Sequence, residues 1–202
     1  MNYLVGPWNE IRTLIYVYCY FFFFLKKYFS YSLIKKYSMI FCINILYYYT
    51  LFIILKFNLI MKYNSLLDII CVDYPGRIIN NKRFELIYVF LYERVNLRCF
   101  FKVLLNKENL IISLKNLYNS SVWLEREIWD LFGLKFIING DLRRLLTDYG
   151  FNGHPLLKNF PLMGFFELRY EDTIKCIVEE FIEIMQSYRS FIFENPWVAW
   201  NL

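Results

Sequence analysis

Two consecutive apolar runs constrain the fold most. In "RFELIYVFLY", Arg83 to Tyr92, the residues Phe84, Leu86, Tyr88, Phe90 and Tyr92 alternate with Ile87, Val89 and Leu91. Both faces of such a strand are apolar, so it belongs in the interior of a sheet. "LRCFFKVLL", Leu97 to Leu105, follows after a short turn at about Arg94 to Asn96, which predicts an antiparallel hairpin. Upstream, "LLDIICVDYPG" from Leu66 is another β-rich run, stopped by Pro75 and Gly76.

The segment before these strands poses a membrane question. Leu14 to Leu25 is an uncharged run of twelve residues between Arg12 and Lys26, short of the roughly 20 a spanning helix needs. Tyr37 to Leu55 is uncharged over 19 residues, which as a helix is about 28 Å, close to the roughly 30 Å hydrocarbon core. Asn44 and the cluster Tyr47, Tyr48, Tyr49 would sit near its middle, whereas tyrosines favour membrane interfaces. Splitting the run at Asn44 instead predicts a short strand, "SMIFCI", and a helix from about Leu46 to Lys62 that packs on several sides. Strand, helix, then strands backed by later helices predicts an α+β fold, a mixed β-sheet packed with helices.

Composition narrows the chemistry. The net charge of +5 resides entirely in the first 60 residues, and the rest balances at 17 basic and 17 acidic side chains. The excess lies in an aromatic, apolar segment and not on a folded basic face, which argues against nucleic acid as partner. The same segment is too aromatic and too poor in arginine for a transit peptide. Phe, Tyr, Ile, Asn and Lys are the residues that AT-rich coding favours, and their abundance points to an organelle gene. The five cysteines show no C-x-x-C spacing, and His154 is the only histidine. The usual zinc and iron–sulfur signatures are therefore missing, as are glycine-rich phosphate loops. These residues describe a chain that holds other molecules in place and carries no catalytic, cofactor-binding or metal site of its own.

"SVWLEREIWDLFG", Ser121 to Gly133, reads as a helix with Leu124, Ile128, Leu131 and Phe132 on the face that docks on the sheet. Arg126 and Asp130 then form an i, i+4 pair, and Glu125, Glu127 and Trp129 point elsewhere, toward a partner. Neighbouring carboxylates on a helix face apart, which spoils them as an acid–base couple. The region from Gly133 to Gly164 holds five of the seven glycines and reads as irregular loop. One short helix is expected within it: Leu142, Leu145, Leu146 and Tyr149 recur at helical spacing, Asp141 is placed to cap the first turn, and Gly150 to end it. Beyond Tyr170 the chain is acidic, then aromatic, and predicts an extended tail along a partner, anchored by Trp197 and Trp200.

"WLEREIWDLFGLKF", "DLRRLLTDYGFNGHPLLKNFPLMGFFELRY" and "LLDIICVDYP…RFELIYVFL" together resemble the 30 kDa subunit family of respiratory complex I, the C subunit family in bacteria. The likeness runs from about Met39 to Trp197; related subunits of membrane-bound hydrogenases share part of it. The resemblance implies a cofactor-free scaffold subunit of NADH:ubiquinone oxidoreductase, peripheral to the mitochondrial inner membrane on its matrix side. It implies a hetero-oligomer in which the chain docks the 49 kDa subunit, with NADH, FMN, iron–sulfur clusters and ubiquinone on partner subunits. The interface positions it implies are Glu125, Arg126, Glu127, Asp130, Arg143, Arg144, His154 and Lys158. Arg143 and Arg144 read as a fork for partner carboxylates. His154 reads as a turn histidine fixed by Pro155 more readily than as a proton relay near quinone. The chain departs from the family pattern at Asn139–Gly140, where the family has His-Pro, and at Leu157–Lys158–Asn159, where it has Arg-Lys-Asp; one positive and one negative charge are lost together. Residues 1–36 form an aromatic, basic extension outside the likeness, 37–170 the α+β domain and 171–202 the tail. The remaining alternatives are a hydrogenase-type scaffold, a small membrane-anchored protein spanning at 37–55 and a self-sufficient oxidoreductase.

Overall fold

A computed structural model describes residues 28–35, 38–58, 62–76, 82–93 and 97–191. The expected turn at 94–96, the 14–25 run and the two tail tryptophans, Trp197 and Trp200, lie outside the described residues. Contacts divide the chain into two compact units, which meet in sequence at Phe160 and Pro161.

The first unit is built on a five-stranded sheet. Its strands are β1 (Phe29–Lys35), β2 (Ser38–Ile43), β3 (Ser65–Asp73), β4 (Phe84–Tyr92) and β5 (Leu97–Leu105), and their spatial order is β1-β2-β5-β4-β3. β4 and β5 form the expected antiparallel hairpin, in register from Phe84↔Leu105 to Tyr92↔Leu97. β3 runs antiparallel to β4, whereas β2 runs parallel to β5 with Ser38 opposite Arg98. One parallel pairing among antiparallel ones makes the sheet mixed, and its origin is the helix α1 (Tyr48–Phe57) that carries the chain away after β2. The would-be membrane span is thus interrupted by a strand and a turn. Among the described residues no helix is long and apolar enough to cross a membrane.

The core lies on the face of the sheet that α1 covers. Phe52 sits over Tyr88, Phe90 and Phe101 at ring separations of 5.0, 5.0 and 5.6 Å, in the edge-on and tilted arrangements that aromatic quadrupoles favour. Leu51, Phe52 and Leu55 are fully or almost fully buried, but Ile54 and Phe57 remain exposed, so α1 is less enclosed than its composition suggests. On the second face of β4, Val89 is buried and Ile87 and Leu91 are partly buried, which the two-faced apolar pattern reflects. Tyr63 closes the core beneath the sheet, its hydroxyl 3.0 Å from the Cys99 thiol, and burial pushes that thiol's pKa up to about 12.

A two-stranded parallel pair, β6 (Ile111–Ile112) with β7 (Phe136–Ile137), brackets the helix α2 (Ser121–Phe132). The helix ends as αL caps do: Gly133 adopts φ +76° and its N–H returns to the Trp129 carbonyl at 2.9 Å.

The second unit holds a hairpin, β8 (Phe166–Glu171) with β9 (Cys176–Phe181), where the sequence had predicted the start of an extended tail. Phe166, Leu168, Tyr170, Ile177 and Phe181 share one face and are all exposed. Arg169, on the other face, pairs with both Glu171 and Glu180.

Candidate functional site

Two of the acidic residues of α2, Glu125 and Asp130, face inward. The buried stripe is Ser121, Glu125, Ile128 and Phe132, with Arg126 and Asp130 beside it, and Leu124 and Leu131 are only partly buried. The helix is therefore rotated relative to the face read from its apolar residues. Glu125, expected to point toward a partner, is completely buried and accepts hydrogen bonds from the Leu114 N–H at 2.8 Å and Asn139 Nδ2 at 2.7 Å. Burial raises its pKa, and the Ser113 and Ser121 hydroxyls that face it, together with these two donors, only partly offset that.

Asp130 is also fully buried, and its ion-pair partner is Arg144, not Arg126: Arg144 Nη1 lies 2.8 Å from Oδ1. Its other oxygen accepts three successive backbone N–H groups, from Leu145 at 3.1 Å, Leu146 at 2.8 Å and Thr147 at 3.0 Å, while the Thr147 hydroxyl donates to Oδ1 at 2.7 Å. Burial alone would raise the pKa, but the Thr147 hydroxyl and these N–H groups reverse it and hold the carboxyl far below the ordinary carboxylate range. This is why the expected helix at 142–149 does not form. The N–H groups that would enter helical hydrogen bonds are taken by a carboxylate from α2, and the segment is a loop wrapped around it. Asp141 caps nothing helical; it pairs with Arg143 at 2.8 Å on the surface.

Further clamps hold the loop down to Phe160. Arg144 Nη2 donates to the Gly153 carbonyl at 3.0 Å, and Arg126 Nε donates to the Arg143 carbonyl at 3.0 Å. His154 Nδ1 lies 2.9 Å from the Asp130 carbonyl, the Leu156 N–H donates to Leu131 at 3.1 Å, and the His154 ring rests against Gly133. A carbonyl can only accept, so Nδ1 carries the proton. At the other end, the Lys158 N–H donates to Asp73 Oδ2 at 2.9 Å, and Arg83 Nη2 donates to the same oxygen at 2.7 Å. The Arg83 hydrogen bonds above all hold Asp73 below the ordinary range.

The expected interface residues thus divide. Glu125, Arg126, Asp130 and Arg144 build the loop from inside; His154 positions it; Glu127 is half-buried; Arg143, at 78% side-chain exposure, and Lys158 face solvent. Leu146, Tyr149 and Leu156 stand exposed on the same loop. Asp73 and Arg83 take part in the clamps and were not singled out from sequence, while Asn139, read there only as a departure from the family pattern, holds Glu125. Asp73, closing a β-run just before Tyr-Pro-Gly, was the available signal. Among the described residues no cluster of three or more His, Cys, Asp or Glu side chains is placed to hold a metal ion.

Residues 48–166 match the family described as respiratory-chain NADH dehydrogenase, 30 kDa subunit. The chain is 45% identical over 155 residues to NADH dehydrogenase (ubiquinone) iron-sulfur protein 3 of Beta trigyna, covering 77% of this chain and 79% of that one. It is 44% identical over 144 residues to NADH-ubiquinone oxidoreductase subunit 9 of Reclinomonas americana, covering 71% and 69%. Among solved structures, a trypsin-resistant fragment of Nqo5 superposes with TM-score 0.51 at 21% identity, covering 66% of this chain and 99% of that one. A chain of the membrane-bound sulfane sulfur reductase, an archaeal respiratory membrane complex, superposes with TM-score 0.62 at 18% identity, covering 75% and 87%. At such identities the superpositions speak to fold alone. The words "iron-sulfur" in the first relative's name call for a test against the donors present. A cluster needs about four thiolates converging on it, whereas Cys42, Cys71 and Cys99 are buried in three separate strands and Cys176 stands exposed in the second unit. The described residues do not fit a cluster.

Proposed function

The chain belongs to the 30 kDa subunit family of respiratory-chain NADH dehydrogenase, and from that premise we propose that it is a scaffold subunit of complex I which reacts with nothing itself. In this reading it lies in the peripheral arm on the matrix side of the mitochondrial inner membrane, encoded by the organelle. It docks the 49 kDa subunit, while NADH, FMN, the iron–sulfur clusters and ubiquinone are handled by other subunits.

One observation supports docking above others. The loop from Asp141 to Phe160 is irregular in backbone yet fixed from beneath by two buried carboxylates, Asp130 and Asp73. A loop held this way presents Arg143, Leu146 and Tyr149 in one arrangement before any partner arrives, and little ordering entropy remains to be lost on association. Arg143 offers a planar fork suited to a carboxylate on the partner. Arg144, engaged internally, holds that fork in place.

Arg143→Glu tests the docking surface without touching the clamps. The expected result is loss of the assembled complex on native gels, with an unchanged unfolding midpoint of the chain itself. Normal incorporation of the variant refutes the reading. The 45% identity over 155 residues to an NADH dehydrogenase protein favours this reading over the hydrogenase-type alternative.

A further inference from the structure

The central strand β4 is apolar on both sides, but α1 and α2 share one side: Leu51, Phe52, Ile128 and Phe132 all join the core cluster around Tyr88 and Phe90. Cys42 and Val89 are also buried, yet they lie outside that cluster. The pairing register puts them on the opposite face. Cys42 stands beside Lys102, Lys102 beside Ile87 and Ile87 beside Ile70, a row that crosses the sheet from β2 to β3. Val89 belongs to the next row, beside Phe100.

Burial along the first row falls steadily, from Cys42, 2% exposed on β2, through partly buried Ile87 on β4, to Ile70, 40% exposed on β3. Val89 is 6% exposed in the middle of the face. Neighbouring strands shield the flanks of such side chains, but their tips point away from the sheet and need a cover. These exposures hold for the chain by itself, so the cover comes from the same polypeptide. It is thickest toward the β1–β2 edge and ends before β3. The charged side chains in the middle of the face, Glu85 and Lys102, pair with each other at 2.6 Å, so an uncharged cover suits it.

One segment outside the described residues has the length, chemistry and attachment for this. Leu14 to Leu25 is an uncharged run of twelve residues, eight of them aromatic, and it ends three residues before Tyr28, next to β1. Coiled as a helix, the run is about 18 Å long, whereas three strand spacings, from β1 to β4, amount to about 14 Å. The segments at 36–37, 59–61, 77–81 and 94–96 are too short, and 192–202 is broken by Glu194, Asn195 and Pro196. We propose that the run Leu14–Leu25 packs on the second face of the sheet, entering beside β1 and crossing β2 and β5 toward β4. The sheet then lies between two layers. In this arrangement the aromatic extension is an internal cover and not a membrane anchor, and the apolar second face is closed to partners.

Photo-crosslinking in the assembled complex tests this with the full chain. p-Benzoylphenylalanine is placed at Phe21, Phe22, Phe23 or Phe24 in separate chains, which samples a whole helical turn, and the adducts are mapped by mass spectrometry. Adducts within the same chain, in the strands that carry Cys42, Phe100 or Val89, support the proposal. Adducts only to another subunit, a second copy or lipid overturn it and assign the run to that partner, and no adduct at any of the four positions overturns it as well. Maleimide labelling gives a second readout, because Cys42 lies beneath the proposed cover and Cys99 in the core on the other face. In the Phe22→Asp, Phe23→Asp chain Cys42 should react about tenfold or more faster while Cys99 stays protected. Unchanged labelling of Cys42 refutes the cover. If Cys99 reacts in parallel, the variant has unfolded as a whole, and the crosslinks in the otherwise native chain decide.

Discussion

Asp130→Asn removes a charge while keeping the side chain's shape, and the geometry around it sets the expected damage. The carboxylate accepts three backbone N–H groups, one hydroxyl and one guanidinium. Hydrogen bonds to a charged group contribute about 1.5 to 3 kcal/mol each, so a simple sum reaches or exceeds the whole stability of an ordinary domain, about 5 to 15 kcal/mol. Such contributions are not additive. A tighter bound comes from breaking one member of a buried ion pair, about 3 to 5 kcal/mol. Asparagine keeps one acceptor but aims an NH₂ group at donors, which supports a loss of about 4 kcal/mol. The damage should be local first, because the loop can detach while the sheet persists. Hydrogen exchange of Leu145, Leu146 and Thr147 should accelerate about a thousandfold, at about 1.4 kcal/mol per decade. The pH dependence carries the same signature. The folded-state pKa is depressed, so the aspartate's advantage is complete above its unfolded value of about 3.9 and disappears as pH falls through the folded value. If wild type and variant exchange within a factor of five of each other at neutral pH, Asp130 is not what holds the loop.

Other outcomes follow from neighbouring geometry. Gly133→Ala should cost about 2 to 3 kcal/mol, because the residue sits at φ +76° and a Cβ would lie 2.6 Å from the His154 ring; urea midpoints read this directly. Glu125→Gln should flatten one limb of the stability–pH curve. Glu125 has a raised folded pKa, so its contribution is most favourable below about pH 4.3 and is lost as pH rises through the folded value. The stability of the Gln variant relative to wild type should therefore increase across that window and then level off; a constant difference would show that Glu125 does not titrate abnormally. Together with the assembly test of Arg143→Glu, these measurements separate docking residues from those that hold the loop.

The strands were legible in the sequence because their signal is local. Alternation in "RFELIYVFLY" and the break at Asn44 decide β2, α1, β4 and β5 without reference to the rest of the chain. The loop was not, and the reason is physical. Leu142, Leu145, Leu146 and Tyr149 have helical spacing, but a helix there would have left Asp130 buried without its donors. A carboxylate twelve or more residues upstream outcompeted the local pattern, and the consequence is visible in Leu146 and Tyr149, which face solvent instead of a core. Glu125 was misplaced for a related reason. Apolarity chose the face Leu124–Leu131, whereas the buried stripe runs Ser121–Glu125–Ile128–Phe132, stabilised by polar contacts from Glu125 to Leu114 and Asn139, which lie outside the helix and beyond the reach of its own periodicity. The hairpin of the second unit is not legible in the sequence because its apolar face covers no core of its own, so Phe166, Leu168 and Tyr170 alternate without a buried partner to reveal the strand.

The parallel alignment of β2 with β5 also bears on how the chain is made. Ser38 pairs with Arg98 and Phe41 with Phe101, so β2 leaves the ribosome some 60 residues ahead of its neighbour in the sheet. At about 5 to 20 residues per second, a strand bearing Met39, Phe41 and Ile43 stays unpaired on that side for roughly 3 to 12 s of synthesis. Until β5 has emerged, that edge of β2 has no partner in the sheet, and its apolar side chains are exposed to association with other unfinished chains throughout that interval.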